Sequence, residues 1–174
     1  FLSSFLSIFA VKDGQTCKKM FSTRIATQIY AKICFEATLS QKKIIEKLSE
    51  YLADYDPSKI FILNGFAGTG KTTLISAFVS ALKDLNIKTI LLAPTGRAAK
   101  VLARYSHERA LTVHKRIYLE RTNAAYESKF SLGPNREQDA LFIVDEASML
   151  SNDTTGGALF GSGALLDDLV TYVR

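Results

Sequence analysis

The hydrophobic pattern divides most of the chain into alternating strands and helices. Short, nearly continuous apolar runs, typical of strands in a buried sheet, occur at 60–63, 88–93 and 141–144. Apolar residues at three- and four-residue spacing, or helix-compatible composition, predict helices at 41–53, 73–85, 97–105 and from about Ala164. This alternation predicts an α/β fold with a parallel sheet and helices on both faces.

Two segments depart from this alternation. Residues 118–139 are polar, with a turn signal at Gly133 and a β-prone piece at 130–132, and predict an inserted hairpin or loop. The N-terminal 11 residues are mostly apolar but are too short to span a bilayer, and no basic segment precedes them. Because the first methionine is Met20, it is left open whether residues 1–19 belong to the native fold. We therefore assign the domain to 39–174, after an N-terminal segment at 1–38.

Composition narrows the class of protein. With 174 residues, 47% of them hydrophobic and 22% charged, the chain has the composition of one soluble globular domain without a membrane anchor. Two cysteines, Cys17 and Cys34, are too few for a disulfide framework. We predict free thiols in a reducing compartment, the cytoplasm.

The net charge of +5 is concentrated in one segment. Residues 94–116 carry six basic side chains and one acidic side chain, and the remainder of the chain is neutral. This segment is either a solvated surface helix or a face that binds a polyanion.

Residues 65–72 read GFAGTGKT and fit the phosphate-binding pattern of a glycine, four residues, then glycine, lysine and a hydroxyl residue. The glycines allow backbone N–H groups to turn toward phosphate oxygens at a helix N-terminus, and the lysine can reach the β and γ phosphates. The alternative is an ordinary glycine-rich turn. The residues predicted to bind the nucleotide are Gly65, Ala67, Gly68, Thr69, Gly70, Lys71, Thr72 and Thr73.

An acidic pair, Asp145 and Glu146, follows the last predicted strand, at the edge where ligands bind in open α/β sheets. Asp145 can hold Mg²⁺ together with Thr72, and Glu146 can orient or deprotonate the attacking water. We therefore predict nucleotide hydrolysis, with Lys71 and Glu146 as catalytic residues. A solvated strand end is the alternative for the pair taken alone.

Four segments, 65–73, 93–100, 112–114 and 144–149, occur in an order that resembles the RecD-like DNA helicases of superfamily 1, most closely the exodeoxyribonuclease V alpha-subunit-like proteins. The resemblance covers about residues 39–174. It implies a P-loop NTPase domain of the RecA-like type that uses ATP and Mg²⁺, moves on single-stranded DNA, and serves DNA repair and recombination.

The resemblance also implies roles for individual residues. Gln41 falls where the family has its adenine-reading glutamine, and an amide can both donate to and accept from the adenine edge. The insert at 118–139 occupies the place of a strand-separating pin, although a surface loop is equally open. The residues implied to bind single-stranded DNA are Pro94, Thr95, Gly96, Arg97, Lys100 and His114.

The chain departs from the family pattern in what it lacks. No Gly-Asp motif with a glutamine sensor and no second RecA-like domain with arginine fingers occurs before Arg174. An arginine finger is worth about three to five powers of ten in rate, so we expect this piece alone to bind ATP but hydrolyse it poorly. One alternative is a non-catalytic module that binds ATP or DNA. Another is a different P-loop enzyme, such as a nucleotide kinase or AAA-type ATPase, which the Thr-Gly-Arg segment at 95–97 disfavours.

Overall fold

A computed structural model describes residues 2–9, 18–54, 56, 59–66, 68–122, 128–137, 139–150 and 160–174. The strands are β1 (Leu2–Phe9), β2 (Ile60–Phe66), β3 (Thr89–Ala93), β4 (Ala110–Thr112), β5 (Tyr118–Thr122), β6 (Ser128–Leu132) and β7 (Leu141–Val144). The α-helices are α1 (Lys18–Lys32), α2 (Leu39–Ala53), α3 (Lys71–Asp84), α4 (Gly96–Ser106), α5 (Val113–Ile117) and α6 (Leu165–Val173), and a 3₁₀ turn spans Ala147–Met149.

The main sheet has the strand order β2-β1-β7-β3-β4. Strands β7, β3 and β4 pair in parallel, with Leu92 opposite Val144 and Ala93 opposite Thr112. The prediction of an α/β fold on a parallel sheet is therefore confirmed, with one exception. Strand β1 lies between β2 and β7 and is antiparallel to both. No element is predicted for residues 1–11, and the pairing of β1 uses backbone groups that any extended segment supplies.

Helices cover both faces of this sheet, as predicted, and strand β7 separates the two cores. Its side chains alternate: Leu141 and Ile143 pack with α1, α2, α3 and α4, whereas Phe142 and Val144 pack with α5 and α6. This is the two-residue period of a strand that is buried on both faces. All four residues are almost completely inaccessible to solvent.

Helix α1 belongs to the first core. Ile25 and Ile29, which are one helical turn apart, are fully buried against α2 and α3. The packing thus continues on the N-terminal side of residue 39, while the domain boundary proposed at that residue stays a prediction.

Several helix and strand boundaries differ from the predicted ones. Helix α2 starts at Leu39, with Thr38 as its cap, and α3 starts at Lys71; each start lies two residues before the predicted one. Strand β2 continues to Phe66, past the predicted end at 63. The short elements β4 and α5 were outside the predicted set because runs of three and five residues carry too little periodicity.

The insert contains the predicted hairpin. Strands β5 and β6 pair antiparallel, with Tyr118 opposite Leu132, and Gly133 donates its N–H to the Ile117 carbonyl at 2.7 Å. The hairpin's tip, 123–127, lies outside the described residues. No helix in the described part of the chain is long and apolar enough to cross a membrane.

Candidate nucleotide-binding site

A pocket of about 710 Å³ lies at the carboxyl ends of the parallel strands. It brings together the segment after β2, the start of α4 and the segment after β7, which are distant in sequence. Its lining residues are Gly68, Gly70, Lys71, Thr72, Thr73, Thr95, Arg97, Ala98, Val101, Tyr105, Asp145, Glu146 and Met149.

The glycines of the 65–72 loop have different structural roles. Gly68 and Gly70 adopt φ angles of 78° and 79°, in the left-handed region that residues with a side chain rarely occupy. Gly65 lies within β2 and is not among the positive-φ residues, so it does not share this backbone conformation. A Cβ there would still lie 3.5 Å from the Lys71 Cδ and Thr69 Oγ1 atoms. Ala67, also predicted to bind nucleotide, lies outside the described residues.

The N-terminus of α3 faces this pocket. Gly70 is the N-cap, and no side chain makes a capping hydrogen bond at this end of the helix. The N–H groups of a helix's first turn have no partner within the helix, and the helix dipole favours anions there. Lys71, Thr72 and Thr73 form this first turn, so the geometry fits an anion such as phosphate.

Lys71 is held close to the loop that precedes it. Its side chain is mostly buried, and its ammonium group donates to the carbonyl oxygens of Gly65, at 2.8 Å, and Phe66. Thr69 Oγ1 donates to the same Phe66 carbonyl at 2.9 Å. The loop therefore wraps around its own lysine, which positions one positive charge at the start of α3.

Asp145 and Glu146 follow β7 and also line the pocket. Asp145 is only 6% exposed, and its Oδ1 accepts the Glu146 N–H at 2.8 Å. Burial raises the pKa of Asp145 to about 6, and the Glu146 charge adds to the increase, although the Glu146 N–H and the Lys71 charge oppose it. Glu146 is exposed and has a φ of 54°, a strained angle of the kind found at functional sites.

The pocket offers oxygen ligands of the kind that Mg²⁺ prefers. The Thr72 hydroxyl and the Asp145 carboxylate both line it, next to the helix end that fits phosphate. Mg²⁺ commonly uses one or two protein oxygens and completes its shell with water and substrate phosphates. The donor set therefore fits Mg²⁺ bound together with a nucleotide.

Gln41 lies beside the phosphate loop. Its Nε2 donates to the Thr69 carbonyl at 3.3 Å, and a Cβ on Gly70 would lie 3.0 Å from that nitrogen. Its Oε1 accepts the Thr38 N–H at 2.9 Å, which completes a capping box on α2. The side chain thus connects the start of α2 to the loop, a contact that the resemblance did not imply.

The residues implied to bind DNA, apart from His114, divide into two groups. Thr95 and Arg97 line the pocket, and Thr95 also caps α4 by accepting the Ala98 N–H at 3.2 Å. Pro94, Gly96 and Lys100 lie close by on the same turn and helix but do not line it. Arg116, part of the basic segment, pairs with Glu137 at 2.8 Å. The exposed basic side chains of the 94–116 segment are Arg97, Lys100, Arg104, Arg109 and Lys115.

His114 lies at the carboxyl end of β4, next to the carboxyl end of β3. The pairing of Ala93 with Thr112 fixes this neighbourhood. The His114 ring is half-buried, with its centroid 5.1 Å from that of Phe160, and burial lowers its pKa. His114 is therefore close to the Thr95 turn along the sheet edge but does not line the pocket.

Four apolar residues of the pocket were missed by sequence reasoning: Ala98, Val101, Tyr105 and Met149. The last three are well exposed; Val101 and Tyr105 line the pocket from α4, and Met149 lines it from the 3₁₀ turn after β7. A signal for two of them exists, because Arg97, Val101 and Tyr105 recur at four-residue spacing on one face of α4. Sequence alone does not tell which face of a helix points to a ligand.

Comparison with known proteins agrees with this geometry. A family model described as an AAA domain matches residues 36–159, which include the loop, the basic segment and the acidic pair. The chain belongs to this family. The region of AAA-domain similarity begins just before the Thr38 cap and extends past the acidic pair.

Curated relatives place the domain among helicase motors. It is 29% identical over 121 residues to the ATP-dependent RecD2 DNA helicase of Deinococcus radiodurans. These aligned residues cover 65% of this chain and 15% of the relative. It is 36% identical over 92 residues to the ATP-dependent DNA helicase dda of Enterobacteria phage T4, covering 50% of this chain and 20% of the relative.

An uncharacterized protein of Methanocaldococcus jannaschii is 33% identical over 131 residues, which cover 68% of this chain and 11% of that protein. The chain thus spans between 11% and 20% of the length of these relatives. The family match and the two helicases together confirm the resemblance to RecD-like superfamily 1 motor domains.

Proposed function

We propose that this domain is the ATP-binding N-terminal motor domain of a DNA helicase that couples ATP hydrolysis to movement on single-stranded DNA. The observation that carries the proposal is the shared pocket. It contains a lysine at a helix N-terminus without a side-chain cap, an acidic pair and the first turn of a helix that carries exposed basic residues.

The pocket residues can divide the chemistry among them. Lys71 and the N–H groups of the first turn of α3 bind the β and γ phosphates, and Thr72 and Asp145 hold Mg²⁺. When bound, Mg²⁺ neutralises charge on the phosphates. Glu146, the exposed member of the pair, orients the attacking water and accepts its proton. Gln41 supports the loop through Thr69 and contacts the adenine side of the nucleotide.

The DNA strand lies along the neighbouring edge of the sheet. Pro94, Thr95, Gly96 and Arg97 form the turn into α4, with Lys100 one turn further on, and His114 follows the adjacent strand. Thr95 and Arg97 also line the nucleotide pocket. A change at the γ-phosphate can therefore reach the DNA through the same helical turn, which is the kind of coupling that a motor requires.

We further propose that the remaining parts of such a motor lie in the same protein outside this domain. Because the chain spans at most 20% of these curated relatives, we propose that a second RecA-like domain of the same protein supplies the arginine finger. We also propose that the protein is cytoplasmic and acts in DNA repair or recombination.

The test is the ATPase rate of the full-length protein with and without single-stranded DNA. We expect the strand to stimulate hydrolysis and Lys71→Ala to abolish the stimulated rate. Glu146→Gln should keep ATP binding but lose turnover. Lys59→Ala is the matched control, because Lys59 pairs with Asp54 away from the pocket.

A stimulated rate that survives Lys71→Ala rules out the assignment. Binding of ATP or DNA by the full-length protein with no turnover favours the non-catalytic module. Phosphoryl transfer to a small acceptor favours a nucleotide kinase.

A further inference from the structure

His114 belongs to a cluster of four rings that lies outside the nucleotide pocket. The His114 ring contacts two of the others: its centroid is 5.1 Å from that of Phe160 and 5.8 Å from that of Tyr118. Phe160 also stacks on Phe130 of β6, with the two centroids 4.4 Å apart. His114 thus rests against rings from two separate segments, the start of β5 and the turn that leads into α6.

One carboxylate oxygen holds both of the rings that contact His114. Asp168 Oδ2, on α6, accepts the Tyr118 hydroxyl at 2.6 Å and the Ser162 N–H at 2.9 Å. Tyr118 is one of the two rings, and Ser162 lies two residues after Phe160, the other ring. Asp168 and Tyr118 are both buried, where a hydrogen bond to a charged group is strong. Asp168 therefore fixes the two rings relative to α6.

The turn between Phe160 and α6 has no room for a side chain at Gly161. Its φ is 49°, and a Cβ there would overlap Asp168 Oδ2 and lie 2.5 Å from Tyr118 Cε1. The Gly161 N–H also donates to the Phe130 carbonyl at 2.8 Å. The glycine thus lets the Phe160 segment approach the Tyr118–Asp168 pair closely.

Both members of this pair have the protonation state that their hydrogen bond needs. Burial raises the pKa of the Tyr118 phenol, and the Asp168 carboxylate raises it further, so the hydroxyl keeps its proton. Burial alone would raise the pKa of Asp168, but the hydrogen bonds from Tyr118 and Ser162 outweigh burial and lower it. The contact is therefore a charge-assisted hydrogen bond at neutral pH.

The His114 ring depends on its orientation more than the exposed basic residues do. Burial lowers its pKa, so the ring is neutral at pH 7. A neutral ring contributes to DNA binding through a directed hydrogen bond or through stacking, and both depend on distance and angle. Arg97 and Lys100 are exposed charges that can attract phosphates over a wider range of positions.

We propose that Tyr118 and Asp168 are positioning residues for DNA binding, because together they hold the two rings that orient His114. The inference rests on the proposed function, in which His114 contacts single-stranded DNA. It extends that function to two buried side chains that act through the His114 ring.

The test is a double-mutant cycle on the 174-residue chain, measured by fluorescence anisotropy with a labelled oligothymidylate. His114→Ala should weaken binding about fivefold, the size of one hydrogen bond. Tyr118→Phe keeps the ring and removes only the hydroxyl, so it should weaken binding about threefold without changing the salt slope. The double variant should bind no more weakly than His114→Ala alone, because Tyr118 acts through that ring.

A second variant approaches the cluster from the other ring. Gly161→Ala displaces the Phe160 segment, and its effect on DNA affinity should likewise disappear in the His114→Ala background. Tyr172→Phe is the matched control for Tyr118→Phe. Tyr172 is a buried tyrosine in the same core, but its ring packs against Phe142, so we expect unchanged DNA affinity.

The two histidines report the ring position directly. His107 is exposed at the end of α4 and serves as an internal reference. In proton NMR spectra, Tyr118→Phe should shift the ring signals of His114 and leave those of His107 unchanged. Tyr172→Phe should leave both sets of signals unchanged.

The inference is overturned if Tyr118→Phe leaves both the DNA affinity and the His114 signals unchanged. It is also overturned if the losses of Tyr118→Phe and His114→Ala add, because additive losses would mean a general effect on the fold. Failure of the proposed function looks different. In that case the parent chain does not bind the oligonucleotide, or His114→Ala binds it as tightly as the parent chain, and the positioning role falls with it.

Discussion

The phosphate loop (residues 65–72) and the basic edge (the exposed basic residues of the 94–116 segment) both carry positive charge, but their charged side chains differ in burial and in hydrogen bonding. Lys71 is 9% exposed and is held by two carbonyl oxygens of its own loop. Arg97 and Lys100 are exposed on α4. A buried, positioned charge suits one fixed group such as a γ-phosphate, whereas exposed long side chains suit a repeating polyanion and respond to salt.

The basic edge is also less uniform than its sequence suggests. Arg116 pairs with Glu137, which also pairs with Lys88, and together these charges lower the pKa of Glu137. Arg116 thus ties α5 to the segment after β6. The basic side chains of the 94–116 segment are therefore of two kinds: Arg116 is held in an ion pair within the fold, and the others are exposed.

The largest expected effect separates the two regions. Lys71→Ala should weaken Mg-ATP binding roughly a hundredfold, because it removes a charged hydrogen-bond donor from a mostly buried position. It should leave single-stranded DNA affinity within about twofold. Lys100→Ala should weaken single-stranded DNA about fivefold and leave Mg-ATP binding within about twofold. The measurements are calorimetry with Mg-ATP and fluorescence anisotropy with a labelled oligonucleotide, and equal losses of both ligands in either variant would show that the regions are not separate.

A pH series tests the acidic wall of the nucleotide site. Since the pKa of Asp145 is raised to about 6, its carboxylate is progressively protonated below that pH and cannot bind Mg²⁺ as well. Mg-ATP affinity should fall about tenfold between pH 7 and pH 5. Asp145→Asn should bind weakly at both values. An affinity of the parent chain that does not change with pH contradicts the assigned role.

Without nucleotide, the Asp145 carboxyl group should make the folded domain more stable at low pH, whereas Mg-ATP affinity should be higher at high pH. Its pKa is higher in the folded than in the unfolded state, so its stabilising contribution is fully present below the unfolded value of about 4. That contribution is lost as the pH rises through about 6. The melting temperature of Asp145→Asn, measured relative to the parent chain, should therefore increase from pH 4 to pH 7.

The phosphate loop could be predicted from sequence because its chemistry is local. Its glycines, lysine and threonine are consecutive, and the strand and helix on either side have clear apolar patterns. The acidic pair could be predicted for the same reason. The structure changed the details, since α3 begins at Lys71 and Gly65 belongs to β2.

What sequence could not provide depends on contacts between distant segments. The Gln41 hydrogen bond to Thr69 joins residues 28 positions apart, and the Arg116 pair joins α5 to the connection after β6. The orientation of α4, which directs Val101 and Tyr105 to the pocket, is likewise set by packing. Strand β1 lies in the N-terminal segment whose place in the native fold was left open, and its position in the sheet depends on backbone pairing with β2 and β7.

A smaller effect should follow from removing exposed basic residues. Arg97→Ala and Lys100→Ala should each weaken single-stranded DNA about fivefold and each reduce the salt slope of log affinity by about 0.7. Arg116→Ala is the matched control. Because its guanidinium is paired with Glu137, we expect this variant to lower the melting temperature with little change in the salt slope. A reduced slope for Arg116→Ala would instead extend the DNA-binding face to α5.

The smallest effect concerns the link between α2 and the loop. Gln41→Glu keeps an oxygen for the Thr38 N–H, so the capping box and the melting temperature should be preserved. It loses the donor to the Thr69 carbonyl and adds negative charge beside the phosphates, so ATP affinity should fall about threefold. Gln41→Ala loses both contacts and should also melt earlier. If Gln41→Glu binds ATP as well as the parent chain, the contact with Thr69 does not support the nucleotide site, and the side chain only caps α2.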